Sequence, residues 1–368
     1  MLSKVLKSIN SFKIIFFVGF FMFVFPNLHG TILFPHSSEE VSFDHPLYPI
    51  SSPREEGFLK VSERHTLFYA VYGNPDGIPV IVLHGGPGAG CNDTLSQSFD
   101  LNRWNVVMFD QRGAMRSEPF GCMEENNPNH SISDIEALRE HLGIEKWVVF
   151  GGSWGSSLAL LYGQEHYEHC IGFVLRGVWL VREQDYLHLL YGMGKIFPEA
   201  YEPVVSHIPV EERHDLISAY YRRVCDPDPD IHLLAARIFM KFDFICSTHL
   251  PNQTYVEKIM QNDKLILSVA KAFFYYAKHG FFLEPNQILS RMQRIDHLPA
   301  IIINGRWDAI CPPEMAYSLH QNWSNSKLWI VPQGGHTANE PAIAAALSTA
   351  TDVFADRVSK EVAEESCY

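Results

Sequence analysis

Long basic runs and short repeated cysteine spacings are missing from this 368-residue chain, and extended apolar stretches are missing after residue 25. Lys and Arg total 29 against 42 Asp and Glu, a formal charge of −13. A phosphate backbone would be repelled, so nucleic acid is not an expected partner. The seven cysteines (Cys91, Cys122, Cys170, Cys225, Cys246, Cys311 and Cys367) are scattered and odd in number. That spacing makes neither a disulfide framework nor a CxxC zinc site, and no metal or organic cofactor is expected. With Gly at 24 and Pro at 22 and no visible internal repeat, collagen, disorder and coiled coil are excluded. What remains is 46% apolar and 13% aromatic, enough for one large domain or two modest ones with a full core.

One apolar run stands apart. Residues 14–25 follow Lys4, Lys7 and Lys13 and are apolar throughout. The run suits a signal-peptide core and is shorter than the roughly 20 residues of a spanning helix. Residues 1–30 are therefore expected to direct export, to a periplasm or outside the cell. The segment 26–30 lacks a clean small-x-small site, which leaves both a cleaved leader and a membrane anchor through residues 14–25 open. Export would also permit one or two disulfides. Asn-x-Ser/Thr triplets at Asn92, Asn129, Asn252 and Asn322 matter only in a eukaryotic secretory route.

From about Leu47 the pattern becomes regular. Residues 67–72 read as a strand, and continuous apolar runs at 80–83, 106–109, 147–150, 173–175, 300–303 and 327–331 read as buried parallel strands. Helices are expected over 133–142, with Asp134 and Glu136 in the first turn, and over 156–166. The rhythm stops over 179–294, which is aromatic and of helical period, with Leu216, Ala219, Tyr220 and Val224 on one face. The spacing predicts a doubly wound, mostly parallel α/β sheet built from residues 40–178 and 295–368, with a helical cap inserted at 179–294.

Chemistry concentrates at the ends of these strands. Gly151-Gly152-Ser153-Trp154-Gly155 follows one buried run and opens a helix, the setting of a nucleophile elbow. The turn projects the Ser153 hydroxyl and needs small neighbours two residues away on either side. An acid and a base are expected later, in that order. Asp308 lies just beyond the run at 300–303, and His336 sits in a glycine-bearing loop after the last strand. His84-Gly85-Gly86-Pro87-Gly88 follows the first buried run, where Gly86 N–H and Trp154 N–H would form an oxyanion hole. That loop lacks the lysine and spacing of a nucleotide-phosphate cradle.

Further words join these: Leu47-Tyr48-Pro49, Asp110-Gln111-Arg112-Gly113, Leu175-Arg176-Gly177, Gly305-Arg306-Trp307-Asp308 and Cys311-Pro312-Pro313. Together they resemble the prolyl aminopeptidase (proline iminopeptidase) family of α/β hydrolases over roughly residues 47–356. The resemblance implies an α/β-hydrolase fold and cysteines at 91 and 122 that need no disulfide. It also implies Ser153 as nucleophile, His336 as general base and acid, and Asp308 as the group orienting the imidazole. The family removes an amino-terminal proline through an acyl-enzyme, with cap glutamates holding the substrate ammonium.

This chain departs from that pattern in the cap. The family's Trp-Glu pair falls on Phe242-Asp243, and a second glutamate falls on Phe273. The usual glycine before Arg-Ser is Met115. Asp243, Phe273 and Gly85 are the expected substrate contacts. The leading expectation is release of an amino-terminal proline or another small residue from a peptide. An esterase or amidase of altered specificity, suggested by Phe273, and an inactive binding protein are the alternatives.

Overall fold

The apolar runs become the centre of an eight-stranded sheet because they have no polar face to offer solvent. The computed structural model describes Phe43 and residues 45–365; the leader or anchor expected at residues 1–30 lies outside the described residues. The strands are β1 (Glu55–Lys60), β2 (Thr66–Gly73), β3 (Ile78–Leu83), β4 (Trp104–Phe109), β5 (Trp147–Gly152), β6 (Cys170–Arg176), β7 (Ala300–Gly305) and β8 (Ser326–Val331). Their spatial order is β1-β2-β4-β3-β5-β6-β7-β8. β2 runs antiparallel to β1 and β4, and every other neighbouring pair is parallel. β4, β5 and β7 are buried at every position. Strand order reverses between β3 and β5, and at such a switch point the loops leaving the two strands open a crevice. The loop at residues 84–88 and Ser153 flank it.

β1 was not expected from the sequence. Its residues alternate between exposed and half-buried, and Glu55, Glu56 and Lys60 dilute any apolar signal. Short charged strands are how sheet edges avoid pairing with other chains.

The sheet-flanking helices are α1 (Pro128–His141) and α2 (Trp154–Glu165) before β6, and α10 (Pro313–Gln321) and α11 (Pro341–Glu365) after β7. Between β6 and β7 lie α3 (Glu183–Leu187), α4 (Pro198–Ser206), α5 (Leu216–Val224), α6 (Pro229–Cys246), α7 (Gln253–Ile259), α8 (Asp263–Lys278) and α9 (Gln287–Ser290). Among the described residues this interval contains no strand. Leu216, Ala219, Tyr220 and Val224 of α5 are all buried, and Tyr220 stacks on Phe274 of α8 with centroids 5.0 Å apart. No described helix is long and apolar enough to cross a membrane.

α1 begins five residues before its expected start. Asn127 caps it by accepting the His130 N–H, and Pro128 occupies the first turn, where its missing N–H costs nothing. Asp134 is therefore mid-helix. It is buried, and Arg112 binds it with two N–H···O bonds of 2.7 and 2.8 Å. Met115, at the family's usual glycine, keeps a left-handed backbone with φ 36°. The six described cysteines are all free.

Candidate active site

Ser153 sits in the tight turn from β5 into α2 with φ 57° and ψ −127°, a conformation that a non-glycine residue adopts only at a cost of about 1–3 kcal/mol. Close approach explains its glycine neighbours. A Cβ on Gly151 would lie 2.3 Å from the Gly155 carbonyl oxygen, and one on Gly155 would lie 2.0 Å from that of Leu83. The hydroxyl is thus forced out at the carboxyl edge of the sheet.

The loops after β7 and β8 reach the same edge. His336 Nε2 lies 3.1 Å from Ser153 Oγ, and His336 Nδ1 lies 2.8 Å from Asp308 Oδ2. Asp308 is buried, and its other oxygen accepts the Cys311 N–H at 2.7 Å. With the carboxylate on Nδ1, the proton of a neutral imidazole belongs there and Nε2 is free to accept from the serine. Arg176, at the end of β6, donates to the His336 carbonyl at 2.7 Å. Burial lowers the Arg176 pKa, and the nearby Asp308 charge opposes that shift.

The glycine loop is fastened to the elbow by Gln111. The Gln111 side chain donates to the His84 carbonyl at 3.0 Å and accepts the Trp154 indole N–H at 2.9 Å. Its backbone N–H donates to His84 Nε2 at 3.0 Å, which places the ring proton on Nδ1, facing the Gly85 carbonyl at 2.9 Å. Burial lowers the His84 pKa, in keeping with that neutral ring. A Cβ on Gly85 would stand 3.2 Å from that of Ser153, so the loop lies directly against the Ser153 turn. As the first residue of α2, Trp154 has a backbone N–H without an intrahelical acceptor.

A cavity of about 290 Å³ opens over Ser153, His336, Gly85 and Gly86. Two cap helices form its far wall by simple helical spacing: Phe239 and Asp243 from α6, with Ser247 just past its end, and Leu265, Val269 and Phe273 from α8. α8 also rests on the glycine loop, where the Ser268 hydroxyl donates to the Gly88 carbonyl at 2.6 Å.

A family model described as the alpha/beta hydrolase fold matches residues 78–342. A proline iminopeptidase of Xylella fastidiosa is 42% identical over 311 residues, covering 84% of this chain and 99% of its own length. Another, from Arabidopsis thaliana, is 41% identical over 322 residues, covering 86% and 84%. This chain belongs to the proline iminopeptidase family of α/β hydrolases. A thermophilic esterase from Thermogutta terrifontis superposes with a TM-score of 0.57 at 19% identity, covering 83% of this chain and 99% of that one, and shows the fold alone.

The cap positions singled out in the sequence take physical form here. Asp243 is half-buried and faces the cavity, where burial raises its pKa to about 6 and the neighbouring His336 partly offsets the rise. Phe242 points elsewhere and is buried against Tyr201. Phe273 stands in the wall between aromatic neighbours, stacking on Trp179 (6.4 Å) and on Phe239 (5.4 Å). The cap side is an aromatic box with one carboxylate. Sequence reading passed over Gln111 and Arg176 as parts of longer words, and it missed Tyr255, which lines the same cavity. Nothing in the local pattern around Tyr255 marks it, because α7 reaches the site only through the packing of the cap.

Proposed function

We propose that the protein is a serine aminopeptidase that releases amino-terminal proline from peptides, with Ser153, His336 and Asp308 as its triad. The observation that carries this reading is a hydrogen-bonded Ser153–His336–Asp308 series beneath a cavity holding the Asp243 carboxylate. Ser153 Oγ attacks the scissile carbonyl as His336 Nε2 takes its proton. Gly86 and Trp154 N–H groups hold the oxyanion, each worth about 3–4 kcal/mol of barrier. Collapse expels the amine, which leaves with the proton from His336. Water, deprotonated by the same imidazole, then frees the prolyl group. Asp243 pairs the substrate ammonium, which makes the enzyme count from the chain end.

Phe273 favours a second reading, an esterase or amidase for uncharged acyl groups, because the box around it offers apolar surface and a carboxylate that protonates near pH 6. A panel of prolyl, alanyl and leucyl p-nitroanilides beside nitrophenyl acetate and butyrate separates the two. Prolyl anilide is expected to turn over fastest among the anilides. An inert prolyl anilide beside a rapidly cleaved butyrate would select the esterase. We also propose export, with residues 1–30 as leader or anchor, on the strength of the three lysines and the apolar run at 14–25. Small peptides or esters, and no nucleic acid, are the proposed partners.

A further inference from the structure

The loop carrying His336 is held by the cap as well as by the sheet. His336 and Thr337 both donate their backbone N–H to the Ser247 carbonyl, at 2.9 and 3.0 Å. Ser247 directly follows α6, one turn beyond Asp243, and its hydroxyl donates to the Asp243 carbonyl at 2.8 Å. Glu340 adds a second tie. Its Oε2 accepts the Gly335 N–H and its Oε1 the His249 N–H, each at 2.5 Å. The two segments meet closely: a Cβ on Gly335 would lie 2.5 Å from the His249 nitrogen and 2.9 Å from Glu340 Oε2. Glu340 is itself anchored, since its carbonyl accepts the Ala344 N–H of α11 at 2.8 Å.

We propose that Glu340 is a positioning residue whose carboxylate clamps the His336 loop to the end of the helix bearing Asp243, fixing the imidazole relative to the ammonium-binding group. The inference rests on the serine-hydrolase reading of the site. Both bonds are charge-assisted, and they join a residue adjacent to His336 with one two positions past Ser247. Glu340 stands outside the cavity wall and acts through the loops it joins. Without the clamp the imidazole drifts, and a displacement of about 1 Å can cost about 10²-fold in rate.

The test compares full-length wild type with Glu340→Ala and Glu340→Gln on p-nitrophenyl acetate and prolyl p-nitroanilide, well below each variant's melting temperature. Glu340→Ala is expected to lower kcat for the ester about 10²-fold with KM within about twofold of wild type. The prolyl anilide should lose in both kcat and KM, because Asp243 and His336 no longer move together. Glu340→Gln keeps one acceptor oxygen and should lose less, with kcat several-fold to about tenfold below wild type. A folded Glu340→Ala with wild-type ester kcat overturns the proposal. If the alanine variant does not fold, Glu340→Gln decides: an unchanged kcat overturns the clamp, and a several-fold loss at constant KM supports it. Wild type inert toward both substrates would defeat the serine-hydrolase reading and this inference with it; if wild type cleaves only the anilide, the same kcat comparison on the anilide decides the clamp. A wild type that cleaves the ester and spares only the anilide defeats the iminopeptidase reading, leaving the ester comparison to decide the clamp.

Discussion

Asp308→Asn is expected to lower kcat about 10⁴-fold while KM for prolyl p-nitroanilide stays within about twofold. Asp308 uses both oxygens: one accepts the Cys311 N–H at 2.7 Å, and the other faces His336 Nδ1 at 2.8 Å. An asparagine can supply an oxygen to only one of them. Its oxygen will stay with the fixed Cys311 N–H, which turns the amide NH₂ toward Nδ1. The imidazole then carries its proton on Nε2, facing Ser153, and has no lone pair to receive the serine proton. Substrate contacts made by the cavity wall are untouched, so the loss belongs in kcat. Steady-state kinetics on the purified variant check this. A tenfold rise in KM with little change in kcat would mean that Asp308 serves binding instead.

Asp243→Asn is expected to cost about 10²-fold in kcat/KM for prolyl p-nitroanilide and less than about threefold for nitrophenyl acetate. The carboxylate is the charge expected to pair the ammonium, and an ester has no ammonium to lose. Its pKa of about 6 adds a pH signature. As pH falls through about 6, Asp243 takes up a proton, and the ratio of anilide to ester kcat/KM should fall with it. Taking the ratio removes any pH effect common to both substrates. Equal losses on both substrates, or a ratio that stays flat down to pH 5, would show that Asp243 does not meet the amine.

The same substitution should stabilise the free protein. In the unfolded chain an aspartate titrates near 3.9, so the folded state holds the Asp243 proton more tightly. Ionising Asp243 in the fold therefore costs stability above pH 6. That cost shrinks between about pH 6 and 4 and vanishes below, where both states are protonated. A shift to about 6 corresponds to roughly 3 kcal/mol, which we discount to about 1–2 kcal/mol because the side chain faces an open cavity. Asp243→Asn should thus unfold at higher denaturant concentration than wild type at pH 8 and at nearly the same concentration at pH 4. Activity loss paired with a stability gain is what a charge kept for binding would leave behind.

The parts of the site that came from unbroken local words were legible in the sequence. The buried strands have no polar face, so 147–150 and 300–303 could hardly be anything else. The elbow, Asp308 and His336 each follow such a run by a few residues, and the sheet then brings them to one edge. β1 and the start of α1 were misread because one is a charged edge and the other is set by the Asn127 cap. The family likeness found Asp243 and Phe273, but their neighbours Tyr255 and Trp179 come from separate segments and carry no sequence mark. Glu340 is the extreme case. Its partners are two backbone N–H groups, one of them 91 positions away, and side-chain patterning cannot register such donors.

The most direct test is to treat the folded protein with a fluorophosphonate and map the adduct by peptide mass spectrometry. A single adduct on Ser153, lost when His336 is replaced by alanine, is the expected result. An unmodified Ser153, or an adduct on another serine with Ser153 intact, would contradict the assignment of the nucleophile.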